Sequence, residues 1–291
     1  MRKAILVGML LLATAVWGWT FVVVKDAVDV HRYGVVGFLA IRFTIGSSLL
    51  GAVDFRQFNR RSLFVGGGIG IVLALGYLCQ TLGLRNTTAT NSGFITGLFV
   101  VTTPIINRLL FGVKIRPIFW AAVAVSLIGL YLLTNAGPAR LNVGDWLTLG
   151  AAILYGLHIS LLDRFAKGHP PLTLAFAQTA STALLFFAIC PLGEPLQWPS
   201  PPVWADLAIT GVLATAACFA IQTYVQQRLS AVTSTLILSA EPVFAAMFGC
   251  VLLGERLGRM QMLGVMLMIG AIVAAQVGTG EHASTYPLDP L

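Results

Sequence analysis

The chain has 291 residues, 57% of them hydrophobic and only 10% charged, and its mean hydropathy is +0.86. A soluble domain of that composition would precipitate, so a water-soluble enzyme or binding module is excluded. The formal charge of +7 arises from basic residues scattered among short segments rather than gathered in a patch, which speaks against a nucleic-acid partner and leaves an all-α, polytopic membrane protein.

Crossing the roughly 30 Å hydrocarbon core takes about 20 mostly apolar residues. Such stretches recur near 4–24, 34–53, 63–84, 90–110, 117–134, 144–162, 171–190, 204–226, 231–253 and 259–277, predicting about ten spans. The first follows Arg2-Lys3 and contains Ala13-Thr14-Ala15, which imitates a signal-peptide cleavage site. Apolar sequence continues through Trp17, Trp19 and Phe21 to Val24, so the segment is expected to stay as span 1, with Trp17 and Thr20 as candidate substrate contacts. Span 2 carries Arg42, roughly 12 Å below the surface at about 1.5 Å per residue. A charge at that depth costs several kcal/mol unless it faces a bundle interior or a cavity. Arg42 is therefore read either as a group that attracts a substrate carboxylate or holds a buried acid, or as a structural tie to helix-end carbonyls.

Span 3 brings Tyr77 and Gln80 to one helix face at i and i+3. Span 4 brings Asn91, Ser92 and Thr96, together with Pro104, a hinge candidate because proline removes a backbone hydrogen bond. GxxxG spacing at Gly66–Gly70 and Gly93–Gly97 is read as ordinary close packing of helices. In span 6, Tyr155 is a pocket candidate; His158 is either a packing residue held by hydrogen bonds or a relay. Gln178 in span 7 stands where span 2 has Arg42, and Gln222 and Tyr224 are the candidates of span 8.

Span 9 aligns Ser234 and Glu241 at i and i+7, with Glu241 roughly 15 Å from the surface and so close to the midplane. A carboxylate there can exchange a coupling proton, because withdrawal from water changes its proton affinity, or it can be the counter-charge of a substrate amine. The structural alternative is a permanently protonated or Arg-paired glutamate. Pro242 beside it is the second hinge candidate. Cys79, Cys190, Cys218 and Cys250 fall inside spans without a CxxC pair or nearby histidines, so free thiols, no metal site and no cofactor are expected. The polar, Pro-containing stretch 279–291 is expected to be a disordered tail.

The chain repeats itself. Shifted by 142, Gln80-Thr81 falls on Gln222-Thr223, Ala89 on Ala231, Ser92 on Ser234, Ile95 on Ile237, Leu110 on Leu252 and Gly112 on Gly254; with a small slip, Trp17-Gly18 falls on Tyr155-Gly156. Two halves, 1–138 and 139–278, with five spans each must enter the membrane from opposite sides, because an odd number of crossings reverses direction. Inverted repeats of this kind are typical of secondary transporters whose site lies between the halves near the midplane. With the N-terminus inside, the inner loops receive Arg2, Lys3, Arg56, Arg60, Arg61, Arg108, Lys114, Arg116, Arg164, Lys167 and Arg228. The other side receives Lys25, Arg32, Arg85, Arg140, Arg256 and Arg259, an excess of 11 to 6 that predicts cytoplasmic termini.

Several runs resemble the EamA-type members of the drug/metabolite transporter superfamily: Trp17-Gly18, Ile41-Arg42-Phe43, and Ala89-Thr90-Asn91-Ser92-Gly93-Phe94-Ile95-Thr96-Gly97-Leu98 in the first half. In the second half they are Ser239-Ala240-Glu241-Pro242-Val243-Phe244-Ala245-Ala246 and Leu252-Leu253-Gly254-Glu255-Arg256, the most specific combination. Phe111-Gly112-Val113-Lys114 departs from that last run, so Glu255 has no counterpart in the first half. The resemblance implies ten spans in two inverted five-span repeats and a central cavity. It also implies a small-metabolite transporter of the cytoplasmic membrane, commonly an exporter of amino acids or related compounds.

The function expected is secondary active transport of small amphipathic metabolites by alternating access, with protons as the candidate coupling ion. A nucleotide-driven pump would need a GxxxxGK[ST] loop, and an intramembrane enzyme would need grouped polar residues such as GxSxG, HExxH or paired aspartates; neither is present in the sequence. A multidrug exporter of lipophilic cations, relying on Glu241 and the aromatic residues, is the alternative within the same fold. Monomer and homodimer both remain open.

Overall fold

The computed structural model describes residues 3–30, 33–54, 58–87, 89–134, 142–192, 196–253 and 257–277. The elements among them are helical, as lipid demands of backbone groups that find no water in the hydrocarbon layer. Spans 1 to 3 are α1 (Lys3–Lys25), which runs into a wide i→i+5 turn over Asp26–Val30, α2 (Val35–Asp54) and α3 (Arg60–Leu84). Span 4 is broken into α4 (Ala89–Gly97) and α5 (Phe99–Phe111), and span 5 is α6 (Pro117–Thr134). Spans 6 and 7 are α7 (Val143–Phe165) and α8 (Pro171–Ile189). Span 8 joins α9 (Pro201–Ala208), a wide-turned stretch Ile209–Ala217 and α10 (Cys218–Gln226). Span 9 is broken into α11 (Ala231–Leu238) and α12 (Glu241–Leu253), and span 10 is α13 (Arg259–Val277).

Among the described residues eight of these columns are long and apolar enough to cross a membrane, and two shorter apolar helices, Pro117–Leu133 and Arg259–Ala274, complete the ten expected. The observed ends fall within a few residues of the expected ones. The tail 279–291 and Glu255, and the side chain of Cys250, lie outside the described residues.

The packing repeats with the sequence. Span 3 lies against spans 6 and 7, as span 8 lies against spans 1 and 2. Span 6 packs on both halves of broken span 4, as span 1 packs on both halves of broken span 9, while α6 and α13 pair with each other. This exchange of partners is what a pseudo-two-fold axis between inverted halves produces. The largest apolar cluster, which includes Phe38, Phe43, Phe186 and Phe219, fills the space between α2, α3, α8 and α10.

Small residues set the closest seams, because lipid supplies little drive for helix association and close backbone approach must do so instead. A Cβ on Gly70 would stand 2.3 Å from Gln178 O, and one on Gly264 would stand 2.4 Å from Gly129 O. The Gly66–Gly70 spacing is therefore a packing seam against α8, whereas Gly93 has open space around it.

The two breaks coincide under the 142-residue shift. Leu98 N–H donates to Ile95 O at 3.1 Å, and Ala240 N–H donates to Ile237 O at 3.1 Å, a tight i→i−3 turn in each case. Pro104 lies within α5, beyond its break, and Pro242 is the second residue of α12.

Candidate functional site

Between the halves lies a cavity whose lining encloses about 690 Å³, the open space at its mouth included. Its walls carry Trp17 and Thr20 from α1, Arg42 from α2, Tyr77 and Gln80 from α3 and Thr96 from α4. Tyr155 and His158 from α7, Gln222 from α10 and Glu241 from α12 complete the predicted residues that meet there.

Arg42 is 2% exposed and is held by neutral groups. Its Nε donates to Thr215 Oγ1 at 3.1 Å and its Nη2 to Tyr77 Oη at 3.4 Å, while the guanidinium carbon sits 4.8 Å from the centre of the Tyr77 ring. The wide turn of span 8 makes this arrangement: Thr215 Oγ1 donates in turn to Thr210 O, five residues back, at 2.9 Å, and Ala214 O accepts Trp17 Nε1 at 2.9 Å. Among the described residues Arg42 forms no ion pair, and the Glu241 carboxylate has neither a hydrogen-bond nor an ion-pair partner. Two ionisable side chains of opposite type thus line one cavity without pairing with each other.

Glu241 is the first residue of α12, immediately after the break, and the 142-residue shift places Phe99 at the corresponding start of α5; both line the cavity. Gly18 allows this approach. A Cβ there would stand 2.7 Å from Glu241 O, and one on its counterpart Gly156 would stand 2.3 Å from Thr102 Oγ1. The aromatic-Gly pairs Trp17-Gly18 and Tyr155-Gly156 therefore do one job in each half: the ring faces the cavity and the glycine seats a broken span.

Polar chains tie the walls together. Tyr155 Oη donates to Gln80 Oε1 at 2.9 Å, and Gln80 Nε2 donates to Thr96 Oγ1 at 3.2 Å. His158 Nε2 shares a 2.8 Å hydrogen bond with Gln178 Oε1, and Gln178 Nε2 donates to Thr223 Oγ1 at 2.9 Å. Gln178 stands behind His158 and does not line the cavity. Ser92 and Ser234 are fully buried away from it, and their hydroxyls have no hydrogen-bond partner. The side chain of Asn91 lies outside the described residues.

Sequence reasoning missed Thr215, Phe99 and Phe219. Phe219 forms a tilted pair with Trp17 at 5.5 Å and an edge contact with His158 at 6.2 Å. The 142-residue shift holds the signal for Phe219, because it pairs that residue with Tyr77. Among the described residues no group of three His, Cys, Asp or Glu side chains converges as a metal site requires, and Cys79, Cys190 and Cys218 form no disulfide.

The cavity extends toward one end of the bundle. Its lining reaches Val24 and Leu84, near the C-terminal ends of α1 and α3. At the other end Leu6, Leu10, Val225, Ala231 and Ile237 form a packed cluster, Gln226 Nε2 donates to Ile159 O at 3.3 Å, and Gln227 Nε2 donates to Ala166 O and His169 O at 2.9 Å each.

The model of the EamA-like transporter family matches residues 4–135 and again residues 142–275. An uncharacterized transporter of Archaeoglobus fulgidus is 32% identical over 268 residues, covering 91% of this chain and 83% of the relative. The threonine/homoserine exporter RhtA of Escherichia coli is 31% identical over 261 residues, covering 84% and 82%. The uncharacterized inner membrane transporter YedA of the same organism is 25% identical over 290 residues, covering 94% and 91%. A solved crystal structure matches with a TM-score of 0.78 over 95% of this chain and 98% of its own, at 17% identity.

Proposed function

The chain belongs to the EamA-like transporter family, and from that premise we propose that this membrane transporter moves small zwitterionic metabolites, neutral amino acids above all, out of the cell by alternating access. The carrying observation is the pair Arg42 and Glu241, a basic and an acidic side chain that line one cavity unpaired with each other. Each is costly at that depth until something complementary completes it. An amino acid does so in one step, its carboxylate meeting the guanidinium and its ammonium meeting the carboxylate. The relative RhtA, named as a threonine/homoserine exporter, makes L-threonine the first substrate to test.

The two halves, 1–138 and 139–278, are the moving bodies in this reading, with cytoplasmic termini and the cytoplasmic membrane as location; the basic inner loops support that orientation. The end reached by the cavity lining then faces outward, and the packed end is the closed inner gate. Glu241 is the proton-coupling group, because the carboxylate that binds the ammonium is free to take a proton once the substrate has left.

The test is transport by purified protein in liposomes of L-threonine, of L-threoninamide, which lacks the carboxylate, and of 3-hydroxybutyrate, which lacks the ammonium. Wild type is expected to discriminate against both analogues, Arg42→Gln to stop discriminating against the amide, and Glu241→Gln to stop discriminating against the deamino acid. Unchanged selectivity in both variants would refute the reading. A lipophilic-cation exporter is favoured by the aromatic wall of Trp17, Tyr77, Tyr155 and Phe219 around Glu241; in that case cation transport survives Arg42→Gln and fails in Glu241→Gln.

A further inference from the structure

Gln80 and Gln222 are equivalent positions of the two halves, both line the cavity, and their amides are in opposite conditions. Gln80 is committed at both ends, accepting from Tyr155 Oη and donating to Thr96 Oγ1. Gln222 is 3% exposed and has no hydrogen-bond partner among the described residues, and its Oε1 is buried without one. The cause lies in the residues that replace its neighbours. Where the first half's amide is met by Tyr155, the second half offers Trp17, whose Nε1 hydrogen is spent on Ala214 O. In the place of Thr96 stands Leu238, which has no polar group.

A buried amide left unpaired is destabilising, and native structures keep such a group where a ligand or water completes it. The terminal amide torsion is broad and two-fold, so a half-turn brings Oε1 to the cavity. We propose that Gln222 is the specificity residue for the ammonium end of the substrate, its Oε1 accepting one N–H while Glu241 takes the charge. This rests on the zwitterion reading above and deepens it. The pseudo-two-fold is broken there: Gln80 braces the wall, and Gln222 reads the solute.

The experiment measures binding of L-threonine and of 3-hydroxybutyrate to the purified full chain in detergent, for wild type, Gln222→Leu and Gln222→Glu, with monodispersity and Tm recorded for each. Gln222→Leu is expected to weaken L-threonine binding about tenfold and to leave 3-hydroxybutyrate unchanged. Gln222→Glu, which keeps an acceptor, is expected to retain or sharpen the preference for the ammonium. If Gln222→Leu does not fold, Gln222→Glu carries the test, and a weaker preference in it overturns the proposal. An equal loss for both ligands marks a structural role and overturns it, as does an unchanged ratio in Gln222→Leu. Should wild type itself fail to distinguish the two ligands, the zwitterion reading falls and this assignment falls with it, an outcome distinct from failure in the variants alone.

Discussion

At the scale of single residues the proposed function divides the charges into those that would meet substrate and those that brace. Arg42 is packed against ring faces and hydroxyls rather than a carboxylate, which keeps its remaining donors for an anion. Lys25, by contrast, is committed to backbone, donating to Leu84 O and Thr87 O at 3.3 Å each. His169, in the loop between α7 and α8, belongs to the closed end: its Nδ1 shares a 2.7 Å hydrogen bond with Ser62 Oγ, and its carbonyl accepts from Gln227. Burial first, and the nearby Arg61 cation second, lower its pKa below the usual histidine value of 6.5. The closed arrangement therefore binds fewer protons than an opened one. Its contribution is fully present above the unperturbed value and is lost as pH falls through the lowered one. Hydrogen exchange of the α7–α8 loop is expected to speed up between pH 7.5 and pH 5.5 beyond the intrinsic rate change, and His169→Asn should remove that excess. Equal protection at both values would show that His169 does not sense pH at this gate.

At the scale of elements, the long apolar runs were legible because lipid leaves the chain no alternative to a helix, and the span ends could be placed to within a few residues. The interior irregularities were not legible. Leu98 carries no sequence signal for a break, and Ile209-Thr210-Gly211-Val212-Leu213-Ala214-Thr215-Ala216-Ala217 reads as an ordinary helix although it adopts the wide turn that presents Thr215 to Arg42. Pro104, the proline of span 4, lies inside α5 rather than at the break. Depth and polarity picked out most of the cavity side chains, Arg42 and Glu241 foremost. The same criteria could not tell Gln178, one layer behind the wall, from Gln222 on it, because both are amides at similar depth. Gly18→Leu is expected to destabilise the protein by about 1–3 kcal/mol through overpacking against the start of α12. A lowered Tm in detergent would register it, with Gly8→Leu, at a position with nothing within 4 Å, as the neutral control. Equal Tm values for the two variants would contradict the seat assigned to Gly18.

At the scale of the whole molecule, the two halves are alike in fold while the two ends of the bundle differ. The cavity lining reaches the end marked by Val24 and Leu84, while the end marked by Leu10 and Val225 is filled by a packed cluster. A pseudo-two-fold assembly whose cavity leans toward one end implies a partner state leaning toward the other, since exchanging the conformations of the halves exchanges the ends. In a background with the native cysteines replaced, Thr20→Cys is expected to react with a membrane-impermeant thiol reagent from outside and to be protected by substrate. Val225→Cys is expected to stay unreactive from that side; the reverse pattern would invert the orientation proposed here. The most direct test of the central claim is counterflow in proteoliposomes loaded with unlabelled L-threonine, with and without an imposed pH gradient. Transient accumulation of labelled L-threonine above equilibrium, accelerated by the gradient in wild type and not in Glu241→Gln, is the predicted result. Monodisperse protein that produces no counterflow of any neutral amino acid would contradict it.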